Sequence, residues 1–165
     1  MKKFIIFWVA VCLAFFSSAA VFASAEEGAP RIYAADCTAT QGGYAYVDIK
    51  AENLSDVGSM EVYVSYDTSV FAYNSSSENG LNAGNICAVA DDSEEGVIML
   101  QSLSLSGMNG SGNLWRITFS VAKDAPAGQY TLRVAVGEVS WSALGPLEVG
   151  FGKGKNTVKE RSGAA

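Results

Sequence analysis

GNLWRITFSVAKDAPAGQYTLRVAV, residues Gly112 to Val136, has the pattern of two β-strands joined by a turn. Trp115, Ile117, Phe119 and Val121 alternate there with Leu114, Arg116, Thr118 and Ser120. That is a period of two with one heavy apolar face, the pattern of a half-buried β-strand. Lys123 to Gly128 then breaks the alternation with Pro126, which lacks a backbone donor, and Gly128, so a turn is expected. The pattern resumes with Tyr130, Leu132, Val134 and Val136 on one face and Thr131, Arg133 and Ala135 on the other. Two such strands cannot bury their apolar faces alone, so the rest of the chain must supply a second sheet.

Outward from these two strands, short strand-like runs recur between clusters of Gly, Asn, Asp and Ser. They are residues 31–39, 44–52, 59–66, 70–73, 86–90, 97–103, 114–122, 129–136 and 147–151. No amphipathic helix of ten or more residues and no internal repeat interrupts them. Even spacing of short strands is the signature of an all-β sandwich or jelly roll.

The two ends differ from this middle. Lys2 and Lys3, the apolar run Phe4 to Phe16 and the small residues Ala23, Ser24 and Ala25 read as a signal peptide over 1–25, cleaved before Glu26. A membrane anchor is the rival reading of the same run. One domain is expected over 26–151, and a flexible basic tail over 152–165, where Lys153, Lys155, Lys159 and Arg161 replace apolar residues. The chain carries a net charge of −6, which disfavours nucleic acid as a partner. No transmembrane segment follows the leader, so no stable membrane insertion is expected after cleavage. Cys37 and Cys87 remain, in a compartment where a disulfide is chemically permitted. Cys37, however, runs in phase with Tyr33 and Ala35 on an expected core face, where a free thiol packs as a small hydrophobe.

The chemistry of an enzyme is missing. The chain contains no histidine, which removes Ser-His-Asp and Cys-His nucleophiles and the commonest metal ligand. Asp91, Asp92, Glu94 and Glu95 read as a charged turn rather than as paired carboxylates across a cleft. No Gly-rich phosphate loop stands between a strand and a helix. A non-catalytic protein is expected.

Three stretches carry a family resemblance. GYAYVDIKAEN (Gly43 to Asn53) is similar to the second strand of the cohesin domain, the module of bacterial cellulosome scaffoldins that captures dockerin modules. GSMEVYVSYDTSVF (Gly58 to Phe71) resembles its third strand and the YD turn into the fourth. LWRITFSVAKDAPAGQYTL (Leu114 to Leu132) resembles its seventh strand, A-x-x-G turn and eighth strand. The resemblance spans residues 31–150 and implies a nine-stranded jelly-roll β-sandwich. It places the first and fifth strands in different sheets, and so implies that Cys37 and Cys87 do not bridge.

The same resemblance implies a partner face built from the third, fifth, sixth and eighth strands. Met60, Val62, Val64 and Tyr66 form an apolar set, so Ser59, Glu61, Tyr63 and Ser65 point the other way, onto that face. Met99, Gln101 and Leu103 are the matching outward set of the sixth strand, Arg133 joins from the eighth, and Trp141 and Leu144 from the loop beyond. The implied function is an exported module, secreted or at the cell surface, that docks a dockerin-bearing protein such as a polysaccharide-degrading enzyme or scaffold. Calcium is expected on the dockerin and no cofactor on this chain. Two other readings fit a sandwich: a carbohydrate-binding module, for which Tyr44 and Tyr46 are in phase, and a structural or adhesin subunit pairing through sheet edges.

Overall fold

The computed structural model describes residues 28–141, 150–151 and 153–160. Its strands are β1 (Arg31–Ala34), β2 (Cys37–Thr40), β3 (Tyr44–Ser65), β4 (Phe71–Glu78), β5 (Ile86–Asp92), β6 (Val97–Val121), β7 (Gly128–Trp141), β8 (Gly150–Phe151) and β9 (Lys153–Lys159). A single turn of 3-10 helix spans Gly80–Asn82. The expected signal segment over 1–25 lies outside the described residues, as does Leu144.

Two long strands build both layers of a β-sandwich. The first half of β3 pairs with the last part of β6, from Tyr44↔Ser120 to Ile49↔Trp115; β1 flanks β3 and β4 flanks β6. The second half of β3 pairs with the start of β6, from Ser59↔Leu103 to Ser65↔Val97; β7 flanks β3 and β5 flanks β6. Runs expected as separate strands, 44–52 with 59–66 and 97–103 with 114–122, are therefore continuous. They pass from one layer to the other at a shared corner.

That corner explains why the sequence looked broken there. Four register shifts fall between Ile49 and Ser59, and bulges are how a strand changes sheet. Asn53 and Asp56 hold positive φ values of 56° and 54°, a region Asn and Asp tolerate better than other side-chain-bearing residues. Their freed backbone donors are satisfied across the corner: Asn53 N donates to Ser111 Oγ at 2.9 Å and Asp56 N to Asn109 Oδ1 at 2.8 Å.

The end of β6 and the start of β7, joined by the turn at 122–127, do not pair with each other; β6 pairs there with β3 and β4, and β7 with β3 and β9. Together they supply much of the core. Trp115, Ile117, Phe119 and Val121 are buried, as are Leu132 and Val134 of β7. They meet Val47 and Ile49 from one half of β3, Met60, Val62 and Val64 from the other, and Ile98 and Leu100 from β6. Leu114, expected on the outer face, is also fully buried, since the register shift near Lys50 turns it inward.

Two expectations are corrected. Lys153–Lys159 is not a flexible tail but a strand, paired in parallel with β2 and antiparallel with β7, with Asn156 and Val158 buried. Its lysines alternate with Gly154, Asn156 and Val158, an inward row too small and polar to register as an apolar face. Tyr33 and Ala35 do not face the core; Ile32 and Ala34 do, and the run breaks at Ala35 and Asp36 into β1 and β2. Cys37 is half-buried, and its thiol donates to Asn156 Oδ1 at 2.9 Å. Both Cys37 and Cys87 are free, and burial pushes each thiol up.

Candidate functional site

The outer face of the β5–β6–β3–β7 layer is a grid whose rows follow from the strand registers. Ile86, Leu103, Ser59 and Ser140 form one row. Ala88, Gln101 and Glu61 form the next, then Ala90, Met99, Tyr63 and Ala135, and last Asp92, Val97, Ser65 and Arg133. Ser59, Glu61, Tyr63, Ser65, Met99, Gln101, Leu103 and Arg133 thus share one face, because Met60, Val62, Val64, Ile98, Leu100 and Ser102 between them are buried. Trp141 pairs through its backbone with Val57 at the end of β7; its side chain lies outside the described residues.

Glu61 stands at the centre with both carboxylate oxygens engaged. The Tyr63 hydroxyl donates to Oε1, and Gln101 Nε2 donates to Oε2 at 2.9 Å. These two hydrogen bonds, Tyr63 first, hold the Glu61 carboxyl below the ordinary carboxylate range. The same bond to Glu61, aided by burial, raises the Tyr63 phenol. Glu61 therefore stays ionised well into mildly acidic solution, presenting its remaining lone pairs in a fixed direction. Replacing Glu61 with Gln is expected to bring the Tyr63 phenol down towards the ordinary tyrosine value of about 10. A pH titration of labelled tyrosine by NMR checks this, and an unmoved Tyr63 resonance would mean that the bond does not form in solution.

The neighbouring strand makes room for this pair. Between Met60↔Val139 and Val62↔Val136 the register slips, so Gly137 and Glu138 together face Glu61 as a bulge. A β-carbon on Gly137 would lie 2.9 Å from Tyr63 Cε2 and 3.0 Å from Glu61 Oε1. The pair thus lies over a position where a side chain would displace it. Sequence reasoning missed Gly137 and Glu138, although an isolated Gly inside a strand pattern is a bulge signal.

The grid is polar at its centre and uneven at its ends. Ile86 and Leu103 are exposed at one end, and Leu105, next along the same side of β6, is 88% exposed. Toward the other end lie Asp91, Asp92 and Glu95 of the β5–β6 hairpin. On the outer face of the opposite layer Tyr44 and Tyr46 are exposed, but their rings are 6.5 Å apart and inclined by 37°, not coplanar. Tyr73 packs on Phe119 at 6.5 Å, and Tyr63 is tied to Glu61.

The chain is thus a β-sandwich with a hydrogen-bonded carboxylate at the centre of one outer sheet face. Residues 35–144 match the family model of the cohesin domain, and the chain belongs to the cohesin domain family. Comparison with curated protein sequences finds no match.

Solved structures agree in fold. A chain of the Coh-OlpA–Doc918 type I cohesin–dockerin complex from Clostridium thermocellum superposes with a TM-score of 0.74 at 15% identity, covering 79% of this chain and 99% of that one. A cohesin from the archaeon Archaeoglobus fulgidus, described as non-cellulosomal, gives 0.71 at 20% identity over 79% and 91%. The seventh ScaB type I cohesin of Pseudobacteroides cellulosolvens gives 0.68 at 20% identity over 83% and 96%.

Proposed function

We propose that this protein is an exported, non-catalytic docking module that binds a dockerin-bearing protein through the β5–β6–β3–β7 face, in cellulosome-type assembly. The observation that carries the reading is Glu61, ionised and aimed by Tyr63 and Gln101 at the centre of an otherwise flat platform. A partner helix laid across such a surface finds a charge-assisted acceptor at its middle and apolar contacts at Ile86 and Leu103. Family membership supports docking as the activity, and solved cohesin–dockerin complexes among the structural neighbours support a dockerin as the partner. Family membership does not by itself require a cellulosome, since a neighbour is described as non-cellulosomal. The basic, apolar and small-residue order of 1–25 supports export, and amino-terminal sequencing of secreted protein starting at Glu26 tests it.

The carbohydrate-binding alternative depends on Tyr44 and Tyr46, whose inclined rings offer no single stacking plane. Retention on insoluble cellulose or xylan, lost on replacing both tyrosines, would favour it.

Calorimetric titration with dockerins from the same genome, with calcium and then with chelator, tests the docking function. Calcium-dependent binding is expected, weakened at least about 30-fold by Glu61→Lys, as for a central charged contact. Absence of heat with every dockerin would overturn the function while leaving the fold untouched.

A further inference from the structure

We propose that Asn82 is a positioning residue of the docking face. From inside the sandwich it holds residues 97–105 of β6 with their serines inward, and so keeps Gln101 against Glu61 and Leu103 and Leu105 outward. This deepens the docking function and rests on it.

The first part of β6 faces the opposite way from the one its hydrophobicity favours. One phase of residues 97–105 is Val97, Met99, Gln101, Leu103 and Leu105; the other is Ile98, Leu100, Ser102 and Ser104. Four of the five residues in the first set are apolar, against two of the four in the second. Period-two patterning alone would therefore turn the first set to the core. The fold does the reverse: Ser102 and Ser104 are buried, while Leu103 and Leu105 are 43% and 88% exposed. Something inside the sandwich must favour the serines.

Asn82 supplies it. The residue is fully buried, and its Oδ1 accepts from Ser102 Oγ at 2.7 Å and from Asn85 Nδ2 at 3.2 Å. Ser102 lies between Gln101 and Leu103, opposite Met60 of β3 and Cys87 of β5. The bond thus grips the underside of the platform between two of its outward side chains. An inverted phase would withdraw the Ser102 hydroxyl and set leucine against a buried amide, which costs the amide its strongest partner. Single buried polar groups are known to fix register in this way.

The amide is carried by a turn that has little freedom. Asn79 N donates to Leu114 O at 2.9 Å, Asn82 N to Asn79 O at 3.1 Å and Asn85 N to Asn82 O at 3.0 Å. Gly80 takes a φ of 55°, and a β-carbon there would lie 2.6 Å from Asn113 O, an approach open to glycine alone. The turn is therefore seated on residues 113–114 of β6, in the layer opposite the platform, and Asn82 reaches across from there to Ser102. Its Nδ2 has no hydrogen-bond partner among the described residues. A buried donor left unpaired costs stability, and an apolar side chain of similar size would avoid that cost. Asn82 is accounted for by the phase it imposes rather than by stability it adds.

The test uses the full-length protein carrying Asn82→Leu or, as the milder change, Ser102→Ala; each removes one side of the bond. The Gln101 side-chain amide and labelled leucine methyl groups are followed by NMR with a soluble paramagnetic probe and no dockerin present. In the unaltered protein the probe is expected to quench the Leu105 methyl signals. In both variants the Gln101 signals should shift to those of a free amide and the Leu105 quenching should be lost. A role in stability alone would move only the melting temperature. If the inverted phase takes about nine-tenths of the molecules, affinity for a calcium-loaded dockerin falls about tenfold. Unmoved Gln101 signals in a folded variant overturn the proposal, whatever the affinity, and Ser102→Ala decides if Asn82→Leu does not fold. Shifted Gln101 signals and a protected Leu105, with no dockerin bound even by the unaltered protein, support the positioning role and sink the docking function alone.

Discussion

A chain ended at Gly152 is expected to lose about 4 kcal/mol of stability and roughly 15 °C of its thermal midpoint. β9 lies between two partners, parallel to β2 through Cys37↔Asn156 to Thr40↔Lys159 and antiparallel to β7 through Gly128↔Val158 to Arg133↔Lys153. Its loss exposes the core around Val158, costing about 2 kcal/mol for that side chain. It also strips β2 of its ladder partner and uncovers an edge of β7, with each net backbone hydrogen bond worth about 1 kcal/mol. The fit is tight along the strand. A β-carbon on Gly154 would lie 2.6 Å from the Ala34 β-carbon and 2.7 Å from its carbonyl oxygen, so Gly154→Val should reproduce part of the loss in the full-length chain. Calorimetric melting of the shortened protein decides the matter. An unchanged midpoint would mean that residues 153–159 contribute nothing to the fold.

Phe119→Ala is expected to cost about 3–5 kcal/mol, the range for deleting a buried aromatic ring from a close-packed core. Phe119 is fully buried, and three rings pack on it: Tyr66 at 5.0 Å, Phe71 at 5.8 Å and Tyr73 at 6.5 Å between centroids. These rings come from the end of β3 and from β4 with the turn between them, so Phe119 ties that turn to β6. Phe71 also meets Tyr130 of β7 edge-on at 5.7 Å, which carries the cluster to the strand that follows β6. The other rings cannot close the space without leaving their own neighbours, which places the loss near the upper part of the range. Urea unfolding measures it. A loss under about 1.5 kcal/mol would mean that the ring cluster is loose or that the cavity collapses.

The legible parts of this molecule were those in which side-chain period and burial coincide. Trp115, Ile117, Phe119 and Val121 alternate over one face in the sequence and are buried on one face in the fold. The same period-two rule separated Glu61 and Tyr63 from Val62 and Val64, and so found one strand of the platform without coordinates. It separated Met99, Gln101 and Leu103 from their neighbours less cleanly, because Ile98 and Leu100 make both phases apolar. It failed at β1, where an interruption of the strand at Ala35 and Asp36 reset the phase, and at β9, whose inward positions are Gly154, Asn156 and Val158. Pattern reading weighs hydrophobicity, and a strand buried by close backbone approach carries little of it.

Local sequence suffices for the all-β class, the composition of the core, the absence of histidine and the outward phase of Ser59, Glu61, Tyr63 and Ser65. Each follows from local alternation or from which residue types are present, and neither depends on where distant segments lie. Tertiary structure alone decided that β3 and β6 each serve both layers through one corner, and that β9 closes the side of the sandwich. It also decided that a bulge at Gly137 and Glu138 lies against Glu61 and that Gln101, forty residues away, grips the same carboxylate. These are properties of strand register between remote segments. Register is set by the packing of the whole, so no single stretch of chain encodes it.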